Sequence, residues 1–263
     1  MSEPDASTPH RSPEPPQLLE ATSPPLVLPS PTAHTRTGAA PADHDAQVER
    51  EFQEVQRICV FYGAMLLPIL ALVGWGFHTQ TADPTIEFAG GAVFYVGIAG
   101  FAFTWRNEWL PLLRRSPRWS ARSVMLTVLA PLCSIAAAYL LCSWARAIRL
   151  PVSDLTSGFG DDGYPVWLLF IWSAALPAVF EEIAFRGVLL SKLQRLTSST
   201  QAIWVSSIMF GIIHFSVLSM AAFLIPLAVV AAYLTRRTGS LLPAIAIHAI
   251  HNAGMISLTL LEQ

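Results

Sequence analysis

Charge is what this sequence of 263 residues has least of. Only 13% of the residues are Asp, Glu, Lys or Arg, where soluble domains carry roughly 25%. A solvated surface of the usual kind cannot be built from so few charges. With 53% hydrophobic residues and long apolar runs, the chain falls in the membrane class. The net charge of −2 argues against nucleic acid or any other polyanion as a partner. Cysteine is scarce as well. Cys59, Cys133 and Cys142 all sit inside apolar runs, with no CxxC and no even-numbered framework, so they are predicted as small apolar residues rather than disulfides or ligands. The HExxH signature of zinc proteases is missing too.

Proline is unevenly spread: ten of the twenty lie between Pro4 and Pro41, interleaved with Ser, Thr, Ala and acids. Such a segment cannot bury enough apolar surface to offset its ordering entropy, so residues 1–48 are predicted as a disordered, Pro-rich cytoplasmic tail. Its one apolar cluster, Leu26-Val27-Leu28, is far shorter than the core of a secretory signal and is boxed in by prolines, so no signal peptide is expected there. A solvated leader is the plain reading, and a docking or phospho-regulated tail is the other.

Seven apolar segments follow, each near the roughly 20 residues that a spanning helix needs. They run from about Ile58 to Phe77, Ile86 to Trp105, Val124 to Trp144, Tyr164 to Phe185, Ala202 to Ser216, Val217 to Tyr233, and Leu241 to Leu261. Pro68, Pro131, Pro177 and Pro226 fall inside them, which membrane helices tolerate when neighbours satisfy the freed carbonyls. Only a short apolar link near Ser216 separates the fifth and sixth, so a re-entrant arrangement stays open there. The basic residues assign orientation: outside the leader, twelve fall on one side of these segments and two, Arg146 and Arg149, on the other. The expected protein is an all-α, polytopic integral membrane bundle of about seven helices. Its N-terminus is cytoplasmic and its C-terminus outside, in a bacterial-type cell membrane. No repeat relates the two halves, so an inverted-repeat transporter is not suggested.

The few ionisable groups inside the apolar spans are concentrated in segments four, five and seven. In segment four Glu182 and Arg186 stand at i, i+4 and share a face, while Glu181 lies about 100° round the helix. Pro177 precedes Glu181 by four residues and removes one backbone hydrogen bond. Segment five supplies Phe210 to His214. Segment seven supplies His248 and Asn252 on one face, with His251 partly beside them. Ser240 and Pro243 sit where an N-cap and a first-turn proline would start that helix.

Taken singly, these residues have bland readings. A Glu–Arg pair is a structural clasp, a membrane His is an interhelical partner, and an Asn is glue worth about 0.6 kcal/mol. Three helices that each place such groups in apolar sequence point instead to a shared polar cavity. A carboxylate there can take a proton from water, imidazoles can orient that water, and a carboxamide can donate to an oxyanion for roughly 3–4 kcal/mol. That is a sufficient set for amide hydrolysis. Glu181, His214 and His248 are also ordinary zinc ligands, although Asn252 is a poor one.

At these residues the sequence resembles the CPBP family, the CAAX proteases and bacteriocin-processing enzymes also called Abi proteins. They are intramembrane endopeptidases related to the type II CAAX prenyl endopeptidases. The resemblance rests on Glu181-Glu182-Ile183-Ala184-Phe185-Arg186 as EExxxR, Phe210 to His214 as FxxxH, and His248 to Asn252 as HxxxN. Phe185-Arg186-Gly187 and the lead-in from Thr238 add to it. It spans about Tyr164 to Leu261 and implies a four-helix catalytic core within 151–263, with three accessory helices in 49–150. By that resemblance Glu181 is the base that activates water, His214 helps to hold the water, and His248 with Asn252 forms the oxyanion site. Glu182, Arg186 and Phe210 support them, with His251 behind. The family has been labelled metalloprotease, but its architecture suits a glutamate-activated water, so no cofactor is favoured and Zn²⁺ is the alternative. The implied partner is a membrane-anchored or lipidated protein or peptide in the bilayer, CAAX-like or a secreted peptide that is processed; oligomeric state is not readable. Two other classes use the same residues: a proton-coupled carrier, and a silent protein whose polar cluster only packs helices.

Overall fold

The computed structural model describes residues 41–79, 84–149, 165–214 and 218–262, and among the described residues the regular structure is helical, with no strand. The described residues form eight helices: α1 Pro41–Thr79, α2 Pro84–Thr104, α3 Arg106–Arg114, α4 Ala121–Ala147, α5 Val166–Leu196, α6 Ser199–Ile213, α7 Leu218–Thr238 and α8 Leu242–Leu261. Each of the seven apolar segments lies mainly within one helix. The link at residues 215–217 lies outside the described residues.

Local signals set several boundaries. Ser120 with Ser123, and Ser198 with Gln201, form reciprocal capping boxes at the starts of α4 and α6. Helix α7 stops at Thr238 because Gly239, at φ +70°, takes the left-handed conformation and returns its N–H to the Thr235 carbonyl at 2.9 Å. The start of α8 is shifted by one residue from expectation. Leu241 is the N-cap, while Ser240 Oγ accepts from the Leu242 N–H at 3.3 Å and Pro243 sits in the first turn.

Two expectations are corrected. Residues 1–40 of the expected tail lie outside the described residues, but residues 41–48 are the first turns of α1. Side-chain hydrogen bonds Gln47–Glu51 and Gln53–Glu49, each 2.9 Å, brace this polar end. Buried Lys192 of α5 then grips Glu54 at 2.8 Å, with its ammonium 5.1 Å from the Trp105 ring. The basic loop expected after the second segment also contains a helix, α3. It lies against α5 through Trp109, whose Nε1–H donates to the Ala102 carbonyl at 2.7 Å. This close approach requires Gly187, where a Cβ would come within 2.5 Å of Trp109 Cβ.

Helix α5 is the central element and packs against α2, α3, α6, α7 and α8, while α4 packs against α7 and α8. Phe185, Val188 and Leu189 of α5 bury against Ala202 and Phe210 of α6 and Ala228 and Ala232 of α7. The alanines let these helices approach closely, as membrane interfaces favour. Outward faces stay apolar: Leu129, Leu132 and Leu140 on α4, and Trp204, Ile208 and Ile212 on α6, are all exposed. Among the described residues, four helical stretches, Asp45–Ala71, α4, α5 and α8, are long and apolar enough to cross a bilayer. The apolar helix α6 is shorter, about 22 Å at the usual ~1.5 Å per residue.

Candidate active site

The site begins with an irregularity in α5. The helix widens to π geometry at Ile171–Ala175 and again at Ile183–Leu189, with seven α-helical residues, Leu176–Glu182, between. Such widenings recur at functional sites. The first accommodates Pro177, which has no N–H to give the carbonyl of Ser173 four residues earlier. That carbonyl instead accepts from the carboxamide of Asn252, Nδ2 to O at 3.1 Å, across to α8. Helix α8 thus closes the backbone gap that Pro177 opens.

The two acids at the end of that α-helical segment have separate partners. Glu182 Oε1 accepts from Arg186 Nη1 at 2.9 Å and from His248 Nδ1 at 3.0 Å. Arg186 Nη2 donates to the Ala228 carbonyl of α7 at 3.3 Å, and its guanidinium lies over the Phe210 ring at 4.6 Å. Phe210 also meets His248 edge-on at 5.7 Å. Glu182 and Arg186 are each 1% exposed. A cavity of about 10 Å³, room for about one water, opens beside Glu182, Arg186, Phe210 and His248.

Glu181 faces His214, with Oε2 3.7 Å from the imidazole Nε2, too far for a direct hydrogen bond. His214 caps the C-terminus of α6, and its Nδ1 is 2.9 Å from the Phe210 carbonyl. A carbonyl only accepts, so the proton belongs on Nδ1, and in the neutral ring the Nε2 lone pair points at Glu181. Glu181 Oε2 is buried and has no hydrogen-bond partner among the described residues. Two acceptors therefore face each other across 3.7 Å. A donor with two protons, such as one water, satisfies both.

The remaining expected residue, His251, is buried with Nδ1 unpartnered among the described residues. It lies close enough to His248 and His214 to interact with them electrostatically. Tyr95 was not singled out in the sequence. It stacks on Phe180 at 5.8 Å and lies within electrostatic reach of Glu181, bringing α2 into the wall of the site. Nothing in the sequence around Tyr95 marks it out. The structure thus gathers Glu182, Arg186, Phe210 and His248 into one cluster and Glu181 with His214 into a second. His251 lies near both imidazoles, and Asn252 is turned toward Ser173.

The comparison that bears on this geometry covers the same helices. Residues 163–254 match the family model of the Rce1-like proteins, type II CAAX prenyl endopeptidases. This segment is Rce1-like. The match contains all three motifs and agrees with membership of the CPBP membrane proteases. Neither the curated proteins nor the solved structures yield a match. Four stretches able to span a bilayer and the Rce1-like match over 163–254 support an integral membrane protein whose matched segment is similar to CAAX-type membrane proteases.

Zinc was the alternative cofactor. Among the described residues, no three His, Cys, Asp or Glu side chains form a group able to hold a metal ion. Glu181 and His214 converge as a pair, while the Nδ1 of His248 is held by Glu182 and its Nε2 is left free among the described residues. Catalytic zinc sites use three protein ligands, and among the described residues Glu181, His214 and His248 are not brought together as such a set, so no step is routed through a metal.

Proposed function

We propose that the Rce1-like segment hydrolyses a peptide bond of a lipidated or membrane-anchored substrate by a water that Glu181 activates. The observation carrying this reading is the pair of opposed acceptors, Glu181 Oε2 and His214 Nε2, 3.7 Å apart. A water donating to both presents its lone pairs outward. Glu181 takes one proton as the oxygen attacks the scissile carbonyl. The same proton then passes from the Glu181 carboxyl to the leaving amine as the C–N bond breaks, so the base is regenerated.

The tautomers limit what can hold the oxyanion. Glu182 accepts the Nδ1 proton of His248, so in the neutral ring Nε2 is an acceptor and does not donate to an oxyanion. Asn252 gives one N–H to Ser173 and retains a second on Nδ2. Glu182 and Arg186 fix His248 and the helix. In this reading the basic residues place the N-terminus in the cytoplasm. Residues 151–263 are the catalytic core, and helices from 49–150 shape its access.

Purified protein in detergent should cleave an internally quenched reporter peptide, and a strong chelator should leave the rate unchanged. Loss of activity on chelation, restored by added Zn²⁺, would overturn the water–glutamate mechanism. The role of Asn252 has its own test. Pro177→Ala supplies the missing N–H to Ser173. If Asn252 acts on the oxyanion, Asn252→Ala still costs about 10²–10³ in kcat in the Pro177→Ala background. Recovery of full rate in the double variant would reduce Asn252 to a backbone cap.

A further inference from the structure

Toward the basic end of the bundle a second cavity, of about 350 Å³, lies between α3, the last turns of α5 and the end of α7. Small-molecule sites span roughly 300–1,000 Å³, so it has room for a ligand. Four guanidiniums line it, those of Arg115, Arg186, Arg195 and Arg236, against one carboxylate, Glu108. Arg195 pairs with Glu108 and Arg186 with Glu182, while Arg115 and Arg236 have no ion pair among the described residues. Arg236 Nε and Gln194 Nε2 are buried without a hydrogen-bond partner among the described residues. Both atoms can only donate. Buried donors left unpaired are costly, so two of them beside two uncompensated cations favour an acceptor that carries negative charge.

The surroundings select the kind of anion. Helix α3 turns Trp109, Leu112 and Leu113 toward the core and leaves Asn107, Pro111 and Arg114 exposed. A helix with two such faces suits the boundary between hydrocarbon and headgroups. The chain after α3 is tied to the end of α7, where the Arg118 N–H donates to the Thr238 carbonyl at 3.2 Å. Arg118 and Trp119 of that segment are exposed, as is Arg237 on α7. Exposed Trp at headgroup depth and Arg facing anionic lipid are features of a membrane interface. The cavity opens to the surface at Asn107, Pro111 and Arg195, and Leu112 and Leu190 add apolar wall. A small free anion gains nothing from that wall. A phospholipid can set its phosphate on the donors and its glycerol stem along the leucines. The α3 side of the cavity, residues 107–115, lies outside the matched segment 163–254.

We propose that this cavity binds the phosphate of an anionic phospholipid from the adjoining leaflet, with Arg115 and Arg236 as its charge partners and Gln194 as a neutral donor. The bound headgroup ties α3 to α5 and α7. Arg186 lines this cavity and also the small one beside His248, so the occupant is one side chain away from the catalytic cluster. The lipid composition of the membrane thereby sets the activity of the site. Lipid binding is independent of the hydrolytic reading above; its effect on activity rests on that reading.

Native mass spectrometry of the full chain in detergent, titrated with dioleoyl phosphatidylglycerol or dioleoyl phosphatidylcholine, reads the binding directly. Phosphatidylglycerol should bind at least about tenfold more tightly, the scale of a hydrogen bond to a charged group, because choline sets a cation against the arginines. Arg236→Gln and Arg115→Gln should each remove most of that preference. Gln194→Leu separates a site from a charged surface. It alters no charge, so general attraction to anionic lipid is untouched, whereas the site should lose about 2–10-fold in affinity. Arg236→Lys, which keeps the charge and loses the buried Nε donor, makes the same distinction by a second route. Equal losses in Arg236→Gln and Arg237→Gln, with Gln194→Leu and Arg236→Lys unchanged, would reduce the effect to surface charge and overturn the site. Thermal stabilisation by sn-glycerol 3-phosphate as large as that by phosphatidylglycerol would assign the cavity to a soluble phosphate and remove lipid as its occupant. In nanodiscs, phosphatidylglycerol should speed cleavage of the quenched reporter by the unmodified protein, and the gain should shrink in Arg236→Gln. A rate indifferent to lipid would sink the coupling to activity. Gln194-dependent lipid binding with no cleavage in any lipid would support the site and count against hydrolysis.

Discussion

Glu181→Gln is expected to lower kcat on a peptide reporter by about 10²–10⁴-fold, the contribution of a positioned general base. The amide keeps the shape of the side chain but cannot take the proton. The fold should tolerate the change well, because Glu181 Oε2 is buried with no hydrogen-bond partner among the described residues. Removing a charge that lacks a donor relieves a desolvation cost rather than leaving a partner stranded. Steady-state rates, measured beside thermal unfolding in the same detergent, separate the two effects. Unimpaired hydrolysis would remove Glu181 from the role of base. A matching collapse of stability would make it structural.

The neighbouring acid should behave in the opposite way. Glu182→Gln withdraws a carboxylate that two buried donors share, Arg186 at 2.9 Å and His248 at 3.0 Å. Breaking one member of a buried pair typically costs about 3–5 kcal/mol, because the surviving charge stays buried without its counterion. Arg186→Met should cost a similar amount, since Glu182 then keeps only His248. The double variant, Glu182→Gln with Arg186→Met, should be less destabilised than the sum of the singles, because no uncompensated charge remains. Denaturant unfolding in mixed micelles reads all three. Single variants that lose less than about 1 kcal/mol, as an exposed pair would, contradict the bracing role. Activity should fall as well in Glu182→Gln, because His248 loses the carboxylate that holds its Nδ1 proton and orients its ring.

This contrast between adjacent glutamates was partly legible beforehand. A helix separates neighbouring residues by about 100° and brings i and i+4 together, so Glu182 and Arg186 were bound to share a face and Glu181 to look elsewhere. The expectation survives because Arg186 still reaches back to Glu182, although the helix widens to π geometry from Ile183 onward. Scarce charge, apolar segments of spanning length, and ionisable groups concentrated in three of them were equally plain. So were the Ser240 and Pro243 signals, to within one residue.

Tertiary packing decided the rest. Helix α3 has too little apolar sequence to announce itself, and it rests on a glycine, Gly187, that lies far away in the chain. Asn252 meets Ser173 because a proline four residues later leaves a carbonyl open and α8 happens to pass there. Tyr95 joins Glu181, and Arg115 joins Arg236, only through the way helices pack side by side. The proton positions on His214 and His248 follow from a carbonyl and a carboxylate that face them at 2.9 and 3.0 Å. The sequence by itself determined which residues lie on one face of one helix, because backbone geometry repeats at a set period. Which atoms of different helices oppose each other, and so which groups hold a proton and which accept one, depended on the packing of the whole bundle.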